Sequence, residues 1–276
     1  MHRLARELYR YTATAQGWVW FGAITLFFGL VPIPLVWLLS PVWGGARDWF
    51  ADFTHLALAL YGRTCMYMRI GVEGQERRIA GTRILVANHQ SWLDPLVLMG
   101  IEWRLAGPVR RYMLRVPIFG SVPRLAGFFQ SDVGELPSLD DVEKCVAAAR
   151  ARGGSLLFFP EGTRSKDGAL GAFHRGAFRT AFDHHLAIQP VVIEGLDRVL
   201  PRKGPIVQTH GRSLVRVRYL APIEPPFEIP GVLRRDVVRG LAERAREMIA
   251  EELEAMRKSR TGDGGIASLS RPTTNA

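Results

Sequence analysis

The stretch Asn88-His89-Gln90-Ser91-Trp92-Leu93-Asp94 holds side chains that could move a proton. An imidazole can take a proton from a substrate hydroxyl near neutral pH. A carboxylate five residues on, across a turn, can hold the ring by its other nitrogen and stabilise the imidazolium as it forms. The same residues also read as plain structure. Asp94-Pro95 makes a good helix start, with Asp as N-cap and Pro at the first helical position. On that reading His89 simply ends a strand or sits in a loop.

A second stretch, Phe159-Pro160-Glu161-Gly162-Thr163-Arg164-Ser165, has a different chemistry. Its glycine frees the backbone to approach a ligand, and its Thr and Arg can hold an anion. Taken alone, it reads first as a tight turn with a surface arginine.

The flanking patterns say what positions these stretches. An apolar run over 84–87 reads as a buried strand ending at His89, and 96–99 reads as a short helix after Asp94. Strands are expected over 68–72, 155–159, 188–193 and 214–220, the last alternating like a half-buried strand. Ser138-Leu139-Asp140-Asp141 opens a helix whose apolar face is Val142, Cys145, Val146 and Ala149, stopping at Gly153-Gly154. Helices are also expected over 176–185 and 233–256, the latter with a stripe of Val237, Val238, Leu241, Ala245, Met248, Ile249 and Leu253 that packs on a core. Strands separated by helices predict an α/β fold, a mixed sheet flanked by helices.

The chain has 276 residues, 47% apolar and 22% charged, which is enough for a sizeable core. Its net charge of +10 and pI near 10.3 favour anionic partners. Residues 11–46 carry no charge and are dense in Leu, Phe, Val and Trp, so the anionic partner is membrane lipid rather than nucleic acid. Pro32 and Pro34 interrupt this span. Of a single kinked crossing and two half-length helices dipping into one leaflet, we take the second, which keeps the rest of the chain cytoplasmic beneath the inner membrane. Residues 49–68 read as an amphipathic helix that lies on the membrane or packs on that hairpin. The two cysteines, Cys65 and Cys145, read as small core residues of a reducing compartment.

Together, the two polar stretches resemble the glycerolipid acyltransferase superfamily, whose members carry NHxxxxD and then FPEGTRS. Three further segments fit: Pro117-Ile118-Phe119-Gly120, Phe173-His174-Arg175-Gly176-Ala177-Phe178, and Pro190 within 188–193. The apolar N-terminus reads as a membrane-embedded or interfacial helical anchor over 1–66, and the Gly-, Ser- and Thr-rich end as a flexible tail over 259–276. The resemblance, which covers roughly 67–220, implies an acyltransferase α/β domain over 67–258. It implies an enzyme that moves an acyl group from acyl-CoA or acyl-carrier protein to the hydroxyl of a lysophospholipid, foremost 1-acylglycerol-3-phosphate. His89 is then the general base and Asp94 its partner. Glu161, Gly162, Thr163 and Arg164 place the acceptor head group, and Arg110, where relatives often have Lys, adds positive charge. No acyl-enzyme, cofactor or metal is required.

One segment departs from the pattern. Phosphate-using members carry a G-x-x-F-x-x-R block, but here the chain reads Gly127-Phe128-Phe129-Gln130-Ser131-Asp132. The Arg is missing and an Asp stands nearby, which repels phosphate. Either Arg110, Arg111, Arg115 or Arg124 substitutes, or the acceptor is another lysolipid, such as a lyso-ornithine lipid. Two rival readings are a serine hydrolase, for which the G-x-S-x-G elbow is absent, and a non-catalytic lipid-binding membrane protein.

Overall fold

The computed structural model describes residues 2–132, 138–165, 168–202, 204–226 and 233–262. Three N-terminal helices, α1 (His2–Leu30), α2 (Pro32–Leu39) and α3 (Ala46–Thr64), precede the sheet. Then come β1 (Met68–Glu73), β2 (Ile84–Ala87), α4 (Asp94–Ile101), β3 (Leu105–Ala106), β4 (Pro108–Val109), α5 (Arg111–Leu114), α6 (Ser121–Ala126) and β5 (Phe129–Gln130). The chain continues through α7 (Leu139–Arg152), β6 (Ser155–Phe158), α8 (Gly176–Asp183), β7 (Ile188–Glu194), α9 (Leu196–Val199), β8 (Ser213–Tyr219) and α10 (Arg234–Gly262).

Six strands form one sheet in the order β1-β8-β7-β2-β6-β3, every neighbouring pair parallel except the antiparallel β7–β8. The mixed α/β sheet expected from the sequence is the one observed. Its central strands β2, β6 and β7 are buried along their whole length. The period of two then divides their side chains between two cores. Ile84, Val86, Leu156, Phe158, Ile188 and Val192 face α7, α8 and α10, whereas Leu85, Ala87, Leu157, Val191 and Ile193 face the α4 side. The short β4–β5 pair, two residues in each strand, carries no periodic signal and was not expected.

Local signals set the helices. Ser138 caps α7 by accepting from the Asp141 N–H, and Gly153 ends it with φ of +64°. The stripe of α10 packs on the sheet as expected. The same helix continues through 259–262, where a flexible tail was expected. Ser259 Oγ donates to the Met256 carbonyl at 2.9 Å, and Arg260 pairs with Glu194 at 3.0 Å. Residues 263–276 lie outside those described.

The N-terminal prolines kink the chain and do not reverse it, contrary to the two half-length helices expected. Arg3–Leu39 is one apolar helical stretch of 37 residues, long enough to cross a membrane. Val31 N–H still bonds to the Phe27 carbonyl and Leu35 N–H to that of Val31, so the helical path continues past Pro32. Reversal comes at 40–45, and α3 is the returning arm. Phe28 of α1 meets Phe50 of α3 at 5.7 Å, while Gln16 accepts from Met66 N–H beyond the far end of α3. The helix expected over 49–68 therefore packs on α1 and α2. Val19, Trp37 and Leu38 remain exposed.

A buried ion cluster fastens the sheet to α4. Glu102 accepts from Arg83 at 2.8 and 2.9 Å, from Arg78 at 3.1 Å and from the Tyr219 hydroxyl at 2.6 Å. Glu102→Ala leaves the buried Arg83 guanidinium without its counter-ion, and removing one partner of a buried pair costs about 3–5 kcal/mol. Denaturant unfolding of the full chain in detergent should show that loss. A loss below about 1 kcal/mol would mean that water reaches Arg83.

Candidate active site

Both polar stretches leave the carboxyl ends of adjacent parallel strands, β2 and β6. Asn88 pins the first turn to β7: its Nδ2 donates to the Ile193 carbonyl and its Oδ1 accepts from the Ile193 N–H, both at 2.8 Å. The chain then turns sharply into α4. Leu93, not Asp94, is the N-cap of that helix, and it makes no side-chain cap bond. The fully buried Asp94 carboxylate instead turns back into the preceding turn. Its Oδ2 accepts from Gln90 N–H at 2.5 Å, Ser91 N–H at 2.7 Å and His89 Nδ1 at 2.8 Å. A carboxylate on Nδ1 makes that nitrogen the donor, which leaves the Nε2 lone pair free. Phe159 stacks on the imidazole with ring centroids 4.2 Å apart and fixes its plane.

The second loop is laced to the first. Glu161, buried, accepts from His89 N–H and from Gly171 N–H, each at 2.8 Å. Burial pushes its carboxyl upward, while those two donors pull it back. Both Glu161 oxygens are thus engaged within the protein, and the residue joins the two loops where an acceptor contact was expected. Ser165 N–H adds a bond to the His89 carbonyl at 2.8 Å. Gly162 holds φ of +64°, a conformation that a side chain disfavours.

A cavity of about 1260 Å³ opens against this arrangement. His89, Arg110 and Gly162 line it, and Asp94 and Glu161 support it from behind. Thr163 is exposed, and neither it nor Arg164 is on the cavity wall. The Arg164 guanidinium lies 4.4 Å over the Trp92 ring, and burial, together with the nearby Arg202, lowers its pKa. Trp18 and Phe21 of α1 line the cavity too, as do Arg175, Arg179 and Arg234. The Asp132 that stands near the missing motif arginine is ion-paired with Arg111 at 3.2 Å.

Three contributions were not expected from the sequence: the Phe159 stack, the Asn88 bridge and the wall supplied by α1. Each joins residues far apart in the chain, and only the apolar character of α1 gave any hint. Cys145 is buried in the core, which pushes its thiol up to about 12, so it holds its proton. Among the described residues no three His, Cys, Asp or Glu side chains converge as a metal site needs. The arrangement suits one operation: deprotonation of a hydroxyl brought to His89 from an apolar cavity.

The acyltransferase family model matches residues 69–194. A chloroplastic 1-acyl-sn-glycerol-3-phosphate acyltransferase of Arabidopsis thaliana is 30% identical over 73% of this chain and 54% of its own length. A 1-acyl-sn-glycerol-3-phosphate acyltransferase of Saccharomyces cerevisiae is 28% identical over 72% of this chain and 67% of its own. The chain spans about half the length of the two chloroplastic relatives it matches, 54% of the Arabidopsis protein and 50% of one from Brassica napus. In fold it matches the crystal structure of the 1-acyl-sn-glycerophosphate acyltransferase PlsC of Thermotoga maritima, with a TM-score of 0.70 over 91% of this chain and 98% of that one, at 20% identity. Residues 69–194, which carry both motifs and the His89–Asp94 pair, form an acyltransferase domain.

Proposed function

We propose that this chain transfers a fatty acyl group from a thioester to the free hydroxyl of a lysophospholipid, foremost 1-acylglycerol-3-phosphate, giving phosphatidic acid. The observation that carries the reading is the His89–Asp94 bond of 2.8 Å, with His89 on the wall of an apolar cavity. His89 Nε2 takes the hydroxyl proton as the acceptor oxygen attacks the thioester carbonyl. Asp94 stabilises the imidazolium that forms. The tetrahedral intermediate then expels the thiolate, which takes the proton from the imidazolium. The thioester is activated enough that no acyl-enzyme is needed.

The donor is acyl-CoA or acyl-carrier protein, and Arg175, Arg179 and Arg234 on the cavity wall, the last two sharing the one carboxylate of Asp183, leave net positive charge to receive either phosphorylated carrier arm. The exposed apolar face of α1 and α2 anchors the chain in the inner membrane, with Arg3 and Arg6 and the catalytic domain on the cytoplasmic side. The pairing of Asp132 with Arg111 favours a phosphate acceptor, because it removes the repulsion that the sequence suggested.

The test is acyl transfer by purified protein in lipid or detergent, with labelled acyl-CoA and acyl-carrier protein and a panel of lysolipids. Labelled phosphatidic acid from 1-acylglycerol-3-phosphate is the expected product. Product from another lysolipid alone would keep the chemistry and change the acceptor. Free fatty acid without any acceptor would make the chain a hydrolase.

A further inference from the structure

We infer that Arg202, which belongs to no motif, is with Arg110 the pair of cations that binds the acceptor's phosphate. The inference rests on the phosphate-acceptor reading above. Of the four arginines that could replace the missing one, Arg111 is engaged by Asp132, and Arg115 and Arg124 are exposed away from the cavity wall. Of these four, Arg110 alone lines the cavity, and the structure adds Arg202 to that wall.

The two side chains bracket one loop. Arg110 Nη2 donates to the Gly162 carbonyl, and Arg202 Nη1 donates to the Arg164 carbonyl at 2.8 Å. A guanidinium carries five N–H donors, so each keeps most of its donors for a ligand. Neither has a carboxylate partner among the described residues. Close behind, Arg164 has its Nη1 buried with no hydrogen-bond partner. Three guanidiniums held around one loop repel one another unless an anion joins them. A phosphate monoester, with two charges and oxygens for both forks, is the ligand chemistry that fits.

Arg202 is also placed relative to the base. Ser91 Oγ, in the turn that carries His89, donates to the Leu200 carbonyl at 2.7 Å. Gln208 N–H bonds to the Val199 carbonyl at 3.0 Å and closes the loop that bears Arg202. The phosphate cradle is therefore built from two segments, each fastened to the His89 turn or to the loop laced to it.

The experiment is equilibrium binding of 1-acylglycerol-3-phosphate and of uncharged 1-acylglycerol to the full chain in detergent, wild type beside Arg202→Gln. Gln keeps an N–H for the Arg164 carbonyl and removes the charge. We expect Kd for the phosphate lipid to rise about 10- to 100-fold and Kd for the uncharged lipid to stay put. Arg202→Lys should recover part of the loss. In turnover, KM for the phosphate acceptor should rise while KM for the thioester does not. Unchanged phosphate-lipid binding, an equal loss for both lipids, or a loss confined to the thioester overturns the inference. Because binding is read without turnover, absence of acyl transfer by wild type would sink the enzymatic reading separately.

Discussion

His89→Ala should lower acyl-transfer turnover by about 10²- to 10⁴-fold, the range that a positioned general base contributes. Folding should survive. The imidazole is part-exposed, and its removal takes from Asp94 only one of three donors. The other two, Gln90 N–H and Ser91 N–H, hold the turn without it. The His89 N–H and carbonyl, which tie this turn to Glu161 and Ser165, are backbone groups that alanine also carries. The thermal transition should therefore stay close to that of wild type while kcat falls. Retention of more than about a tenth of the wild-type rate would end the general-base mechanism. A lost thermal transition would instead show that the ring stacked on Phe159 is needed for folding.

The parts legible in the sequence are those with local or periodic signals. Strand β2, the Ser138 cap, the Gly153 stop and the stripe of α10 all follow from neighbours within two or three turns. The reading of His89 and Asp94 as a pair needed the second motif and the family resemblance as well as a strand end and a tight turn, because the two residues alone read as plain structure. Less legible were residues whose partners lie far along the chain. Glu161 looked like an acceptor contact, and its engagement by His89 and Gly171 depends on where β6 falls beside β2. Arg202 sits in a loop with no pattern at all, and only the folded chain brings it to the Arg164 carbonyl. Asp132 looked like an obstacle until Arg111 was placed beside it. The N-terminus shows the limit of a strong local signal. Pro32 and Pro34 do disturb the helix, but they sit where a kink leaves the path running on, and the turn comes later.

Asp94→Asn separates the carboxylate's charge from its geometry. Two backbone N–H groups converge on the Oδ2 position, so an amide there must present its oxygen, since its NH₂ would face two donors. The amide oxygen thus stays where His89 Nδ1 can donate to it, and the tautomer that frees Nε2 is kept. The NH₂ falls at the Oδ1 position, which is buried without a partner, and an unsatisfied donor there costs about 1–3 kcal/mol of stability. What the variant loses at the reacting centre is the negative charge beside the imidazolium. That charge matters only after His89 has taken the proton, so the loss falls on kcat, by roughly 10²- to 10³-fold, with KM for the acceptor little changed. Steady-state kinetics beside a thermal melt distinguish the two costs. A wild-type kcat in a folded Asp94→Asn protein would show that the carboxylate only holds the turn. A rise in acceptor KM with kcat preserved would place Asp94 in binding and leave the imidazolium to be stabilised by another group.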